Sequence, residues 1–241
     1  MTNIIQSIVA AEKVLMLLIA IGYFFYLRQK RVLTHSIPII IIIGICSCLN
    51  LFNHNHGVIY NVIFCVSNFA KLYVLSTVGY TLWKQRKTRA GSDANTGILS
   101  FIILLTVMLC WGLLMRVLIG SQISEGYNEY LRNFTVTSGT FFVLLNGLII
   151  GPISEEIYYR CFYGEMFMSW TDKMKYSAVF TIFITAISFS LSHISIYSND
   201  LMKMIQVFPI GIILGYVNYK KGVLYSIPMH ILYNTGLLLI R

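Results

Sequence analysis

Long apolar stretches separated by short polar ones run the whole length of the 241-residue chain. Eight stretches can be drawn, at about 9–27, 36–52, 57–83, 97–119, 134–157, 175–194, 201–218 and 222–240. Most approach the roughly 20 residues a helix needs to cross a bilayer core. The breaks between them alternate in character. Basic loops at 28–31, 84–89, 160–175 and 219–221 each follow an odd-numbered stretch, while the polar turns at 53–56, 120–133 and 198–200 fall on the other side. Under the positive-inside rule the basic loops are cytoplasmic and both termini lie outside. The predicted fold is all-α: a polytopic bundle of about eight transmembrane helices, forming a single integral-membrane domain over 1–241 in a bacterial cytoplasmic membrane.

Composition agrees with that pattern. Charged residues make up 11% of the chain and the mean hydropathy is +0.73, against about 25% charge in a soluble domain. No polar stretch is long enough for a sizeable soluble domain. The first apolar stretch leads into RQKR without a small-residue cleavage site, so no cleaved signal peptide is expected. A net charge of +9 would suit nucleic acid, but the basic residues sit in short loops between spans, which excludes that reading. Cys46, Cys48, Cys65, Cys110 and Cys161 lie in or beside apolar segments without a CxxC pair, as membrane-packing residues do. The segment RAGSDANTG (89–97) is the best linker candidate, with accessory helices in 1–133 and the candidate chemistry in about 134–240.

That chemistry begins with two charges in an unfavourable place. Of nine acidic residues, seven are predicted in loops or near span ends: Glu12, Asp93, Glu125, Glu129, Glu165, Asp172 and Asp200. Glu155 and Glu156 instead follow directly on SGTFFVLLNGLIIGPIS. An acidic residue at a membrane-helix centre costs roughly 2.5–3.5 kcal/mol, so two together need partners. Glu156 and Arg160 are four apart and share a helix face. Gly151-Pro152 predicts a fresh helical start, which would set both carboxylates near a helix dipole's positive end. Two glutamates and one arginine leave one negative charge, which calls for a proton or a cation.

Further partners come from other spans. His193 lies near the end of the sixth, and His230 and Asn234, four apart, share one face of the eighth. Taken singly, each has a structural reading: an interhelical hydrogen bond for a histidine or asparagine, an ion pair for Glu156–Arg160. Together they predict a water held between a general base and either a metal ion or hydrogen-bond donors. Lys71 and Arg116 are weaker signals, explained by snorkelling or by pairing with a carboxylate. Tyr158, Tyr159, Phe162, Tyr163 and Phe167 read as an interfacial aromatic belt.

In order, EEIYYR fits EExxxR, FSLSH (Phe189 to His193) fits FxxxH, and HILYN (His230 to Asn234) fits HxxxN. Over about 134–240 the chain resembles the CAAX protease and bacteriocin-processing (Abi) family of intramembrane endopeptidases. The resemblance implies an eight-helix membrane protease acting on a peptide or membrane-associated protein. Glu155 would be the general base, working with His193. His230 and Asn234 would stabilise the oxyanion or share in a metal site, and Glu156 and Arg160 would orient the centre. It also implies either a zinc ion on Glu155, His193 and His230 or a metal-free glutamate mechanism; HExxH is absent. A bacteriocin or pheromone precursor is the expected substrate ahead of a prenylated CAAX protein. Two other classes remain open on these residues: a bacteriocin self-immunity protein that binds a toxin or its receptor, and, last, an ion-coupled transporter.

Overall fold

The computed structural model describes residues 18, 21–22, 72–85, 97–119, 144–193 and 200–240. Most of the stretches predicted at 9–27 and 57–83 and of the 89–97 linker, all of the stretch at 36–52, the 28–31 loop and the 120–133 turn lie outside these residues. So do Cys46, Cys48, Cys65 and Lys71.

Every described segment with regular structure is helical. We label the helices α1 (72–85), α2 (Ile98–Ile119), α3 (144–170), α4 (Ser177–Leu191), α5 (Asp200–Lys221) and α6 (Val223–Leu239). The all-α expectation holds for these elements, and α2, α4 and α6 fall close to the predicted limits. Within α2, Ile98–Leu118 is long and apolar enough to cross a membrane, with a mean hydropathy of 2.6. Helices α4 and α6 are apolar but shorter.

Helix α3 departs most from the sequence expectation. It does not end at 157 to give way to a basic loop, but continues to Trp170. Nor does a new helix start at Gly151-Pro152, because Ile150 keeps helical angles of φ −68° and ψ −43°. The chain instead widens into π-helical turns at Asn146–Ile150, just before Pro152, and again at Ile157–Gly164. Proline lacks the amide an α-turn would use, and a locally wider turn accommodates it without a break. The predicted help from a helix N-terminus at the glutamates therefore falls away.

The polar stretch read as a loop is interior. Arg160 and Glu165 are buried, and so are Tyr159, Phe162 and Tyr163, which form core rather than an interfacial belt. A hydropathy profile reports compatibility with lipid, and it misreads a helix that faces a polar bundle interior. Helix α3 ends at Thr171, whose hydroxyl donates to the Phe167 carbonyl at 2.8 Å and lies 2.7 Å from the Ser177 hydroxyl at the start of α4. The α5–α6 turn needs Gly222: its φ of +94° is a left-handed conformation that glycine adopts without strain.

Two apolar clusters flank the centre of the bundle. One joins α1, α3, α4 and α5 through Val74, Val78, Tyr159, Phe162, Phe189 and Val207. The other joins α2, α5 and α6 through Met108, Ile210, Leu214, Met229 and Tyr233.

Candidate active site

Glu155 precedes the end of α3 by about as many residues as His193 follows the start of α4. In an antiparallel helical hairpin such residues lie at the same level. This removes the difficulty that a span ending at 157 would create, with Glu155 at one membrane face and His193 at the other. The Glu155 Oε1 is 3.8 Å from His193 Nε2. From α6, His230 Nε2 approaches Glu155 Oε2 at 3.7 Å, and His230 Nδ1 lies 3.1 Å from Glu156 Oε1.

The two glutamates have different surroundings. The Glu156 side chain is fully buried, whereas that of Glu155 is 33% exposed. Glu156 Oε2 lies 3.6 Å from Arg160 Nε. Ser226, buried one turn before His230, stands beside the same carboxylate. Arg160 is held from three sides. Its Nη2 donates to the Gly211 carbonyl at 3.3 Å, its guanidinium lies 4.2 Å from the centre of the Phe189 ring, and its own carbonyl accepts from Asn218 Nδ2 at 3.2 Å. Phe189 also packs edge-on against both His193 and His230, with centroids 4.8 and 5.9 Å away.

Hydrogen bonds fix how the imidazoles face the site. His193 Nδ1 is 2.7 Å from the Phe189 carbonyl, which can only accept, so this nitrogen carries the proton. His230 Nδ1 donates in the same way to Glu156. In the neutral rings both Nε2 lone pairs then face Glu155. Two imidazole nitrogens with carbonyl or carboxylate partners behind them, plus one carboxylate, are the donor set of a zinc site by type and tautomer. Among the described residues no three His, Cys, Asp or Glu side chains are drawn together as a finished metal cage.

Of the six residues expected at the site, Glu155, Glu156, Arg160, His193 and His230 converge. Asn234 lies one turn beyond His230, and its Nδ2 donates to the Gly147 carbonyl in the first π-turn, at 3.3 Å. The sequence reading passed over Ser226, Asn218, Gln206 and Lys203. Each is a polar residue in an apolar helix, the same signal that singled out Glu155. Ser226, His230 and Asn234 form one stripe at four-residue spacing. Lys203, whose ammonium donates to Gln206 Oε1 at 3.0 Å, stands within electrostatic reach of Glu155 and His193.

Residues 137–236 match the family model described as type II CAAX prenyl endopeptidase Rce1-like. No curated protein and no solved structure matches the chain. The matched segment contains every gathered residue from Glu155 to His230, and agrees with the resemblance carried by the three short motifs. Over residues 137–236 the chain is therefore similar to the type II CAAX prenyl endopeptidase Rce1-like family.

Proposed function

We propose that this chain is an intramembrane endopeptidase in which Glu155 activates water to hydrolyse a peptide bond. The observation that carries the reading is a partly exposed carboxylate flanked by the Nε2 atoms of two imidazoles, each held from behind through Nδ1. Separations of 3.7–3.8 Å are longer than hydrogen bonds, as expected of a catalytic centre before substrate tightens it.

Glu155 takes a proton from water as the water oxygen bonds to the scissile carbonyl carbon. The carbonyl oxygen becomes an oxyanion. The C–N bond then breaks, and Glu155 returns the proton to the departing amine. His193 helps hold the water through its Nε2 lone pair. His230 is backed by Glu156 much as an imidazole is backed by aspartate in a catalytic triad, so it is stabilised when it carries a second proton. In that form its Nε2–H is a donor to the oxyanion. Arg160 holds Glu156, and Asn234 positions the π-turn ahead of the glutamates. A zinc ion on Glu155, His193 and His230 would supply Lewis-acid activation of the water. The substrate is a peptide or membrane-associated protein, either a bacteriocin or pheromone precursor or a carboxyl-terminal prenylated segment of the kind named in the family's description.

Cells deleted for the gene and carrying either wild type or Glu155→Gln test this reading. Mass spectrometry of secreted and membrane-associated peptides should find a processed peptide with wild type alone, at equal protein abundance. With purified protein, kcat/KM should fall by about 10²–10⁴, the usual contribution of a general base. Full processing by Glu155→Gln would overturn the assignment. Toxin protection that survives replacement of Glu155, His193 and His230 together would move the immunity reading ahead.

A further inference from the structure

The two π-helical stretches of α3 stand on either side of Gly151–Glu156, the α-helical segment that carries both glutamates. A π-turn closes when an amide donates to the carbonyl five residues before it, against four in an α-turn. At one point in each stretch the backbone does not supply that donor. The π partner of the Gly147 carbonyl would be the amide of residue 152, which is Pro152 and has none. The π partner of the Arg160 carbonyl would be the Glu165 amide, which donates instead to the Phe162 carbonyl.

At both points an asparagine from another helix donates. Asn234 Nδ2 on α6 reaches the Gly147 carbonyl at 3.3 Å, and Asn218 Nδ2 on α5 reaches the Arg160 carbonyl at 3.2 Å. Asn218 and Arg160 are both buried, where water does not compete for the bond. The same helix supplies the Gly211 carbonyl that accepts from Arg160 Nη2 at 3.3 Å. Positions 211 and 218 are two helical turns apart, so one face of α5 grips both the backbone and the guanidinium of Arg160.

What this grip controls is helical register. A π-turn takes up about one residue more than an α-turn. Counting back from Glu165, the place of Glu155 is reached through the stretch Ile157–Gly164. Were that stretch to relax into α-helix, the same place would be reached one residue sooner, and Glu156 would stand in it. Neighbouring positions project about 100° apart, so Glu155 would turn away from the Nε2 atoms of His193 and His230. We propose that Asn218 is a positioning residue of the centre: its bond to the Arg160 carbonyl holds the second π-helical stretch, and with it the register in which Glu155 rather than Glu156 meets both imidazoles. The consequence for turnover rests on the endopeptidase reading above, whereas the consequence for the α3 backbone does not.

The test compares the full wild-type chain in detergent micelles with Asn218→Leu, which matches asparagine in size without a donor, and Asn218→Gln, which keeps the amide on a longer arm. Amide hydrogen exchange is read by mass spectrometry in fragments spanning 151–167 and 98–119. Asn218→Leu should speed exchange in the first fragment by about tenfold or more and leave the second as in wild type. Turnover is measured on a synthetic copy of the peptide whose processing in cells requires Glu155. Asn218→Leu should lower kcat by about tenfold or more with KM within about twofold of wild type. Asn218→Gln should restore part of both the protection and the kcat. If Asn218→Leu does not fold, Asn218→Ala, which removes the donor without adding bulk, is read in the same way. Unchanged exchange in 151–167 overturns the grip whatever the activity. Faster exchange there with unchanged kcat overturns the positioning role and leaves the endopeptidase reading intact. Faster exchange in both fragments marks a merely structural residue and overturns it as well. If no peptide depends on Glu155, the endopeptidase reading falls and the positioning role with it, while exchange still decides whether Asn218 holds the π-helical stretch.

Discussion

Glu155 and Glu156 are neighbours in sequence with separate surroundings, because consecutive helical residues project about 100° apart. One turns to the opening and the other into the core, where Arg160 neutralises it with both side chains essentially inaccessible. Removing one member of such a buried pair strands the other charge, at a cost of about 3–5 kcal/mol. Arg160→Met should therefore lower unfolding stability by about that amount. Glu156→Gln/Arg160→Met should recover much of the loss, since no charge is then stranded, while peptide cleavage stays impaired because His230 has lost its anionic partner. Denaturant titration and turnover of the three proteins in mild detergent check this; an Arg160→Met protein as stable as wild type contradicts it. At this scale the sequence was informative wherever an interaction joins two conspicuous side chains. The Glu156–Arg160 pair follows from four-residue spacing, and the convergence of His193 and His230 from the scarcity of charge in apolar helices. The bonds of Asn234 to Gly147 and of Arg160 to Gly211 were illegible, because a backbone carbonyl as acceptor leaves no mark on residue type.

Helices meet here by close backbone approach, as they do where small residues line membrane-helix contacts. Gly79 on α1 faces Cys161 on α3 so closely that an added Cβ would run into the Cys161 carbonyl. A Cβ added at Gly147 would meet no atom among the described residues. Gly79→Ala should thus force α1 off the π-helical stretch and cost about 1–3 kcal/mol, the usual range for overpacking. Gly147→Ala should be neutral or stabilising by up to about 1 kcal/mol, since alanine favours helix. Thermal unfolding of the two variants separates them, and equal tolerance would mean that the α1–α3 contact is loose. The sequence reading placed α2, α4 and α6 well, because an apolar run flanked by polar turns reports both ends of a helix. It cut α3 short because YYRCFYGE is too polar for lipid, yet those residues face protein. The π-turns were equally hidden, although Pro152 marked that something local had to give.

At the scale of the whole molecule, the surroundings of α2 decide whether the bundle belongs in a bilayer. Its window of strongest hydropathy is only 17% buried by protein, and Leu99, Ile102, Ile103, Val107, Leu114, Val117 and Leu118 are exposed. Met108, Gly112 and Met115 face the other helices. Sequence alone could not separate these faces, because lipid and protein core both select apolar side chains and no amphipathic pattern results. In water an exposed valine replaced by arginine changes stability by only about 0.5 kcal/mol either way. In lipid the cost depends on depth: roughly 2.5–3.5 kcal/mol at a helix centre, and far less at an end, where the long side chain reaches the interface. Val107 is near the centre of Ile98–Ile119, and Val117 is near its end. Val107→Arg should therefore sharply reduce the folded protein recovered from membranes, and Val117→Arg should leave recovery close to wild type. If both are tolerated alike, α2 faces water, and the hydrolysis proposed for Glu155 would take place in a soluble bundle rather than within a membrane.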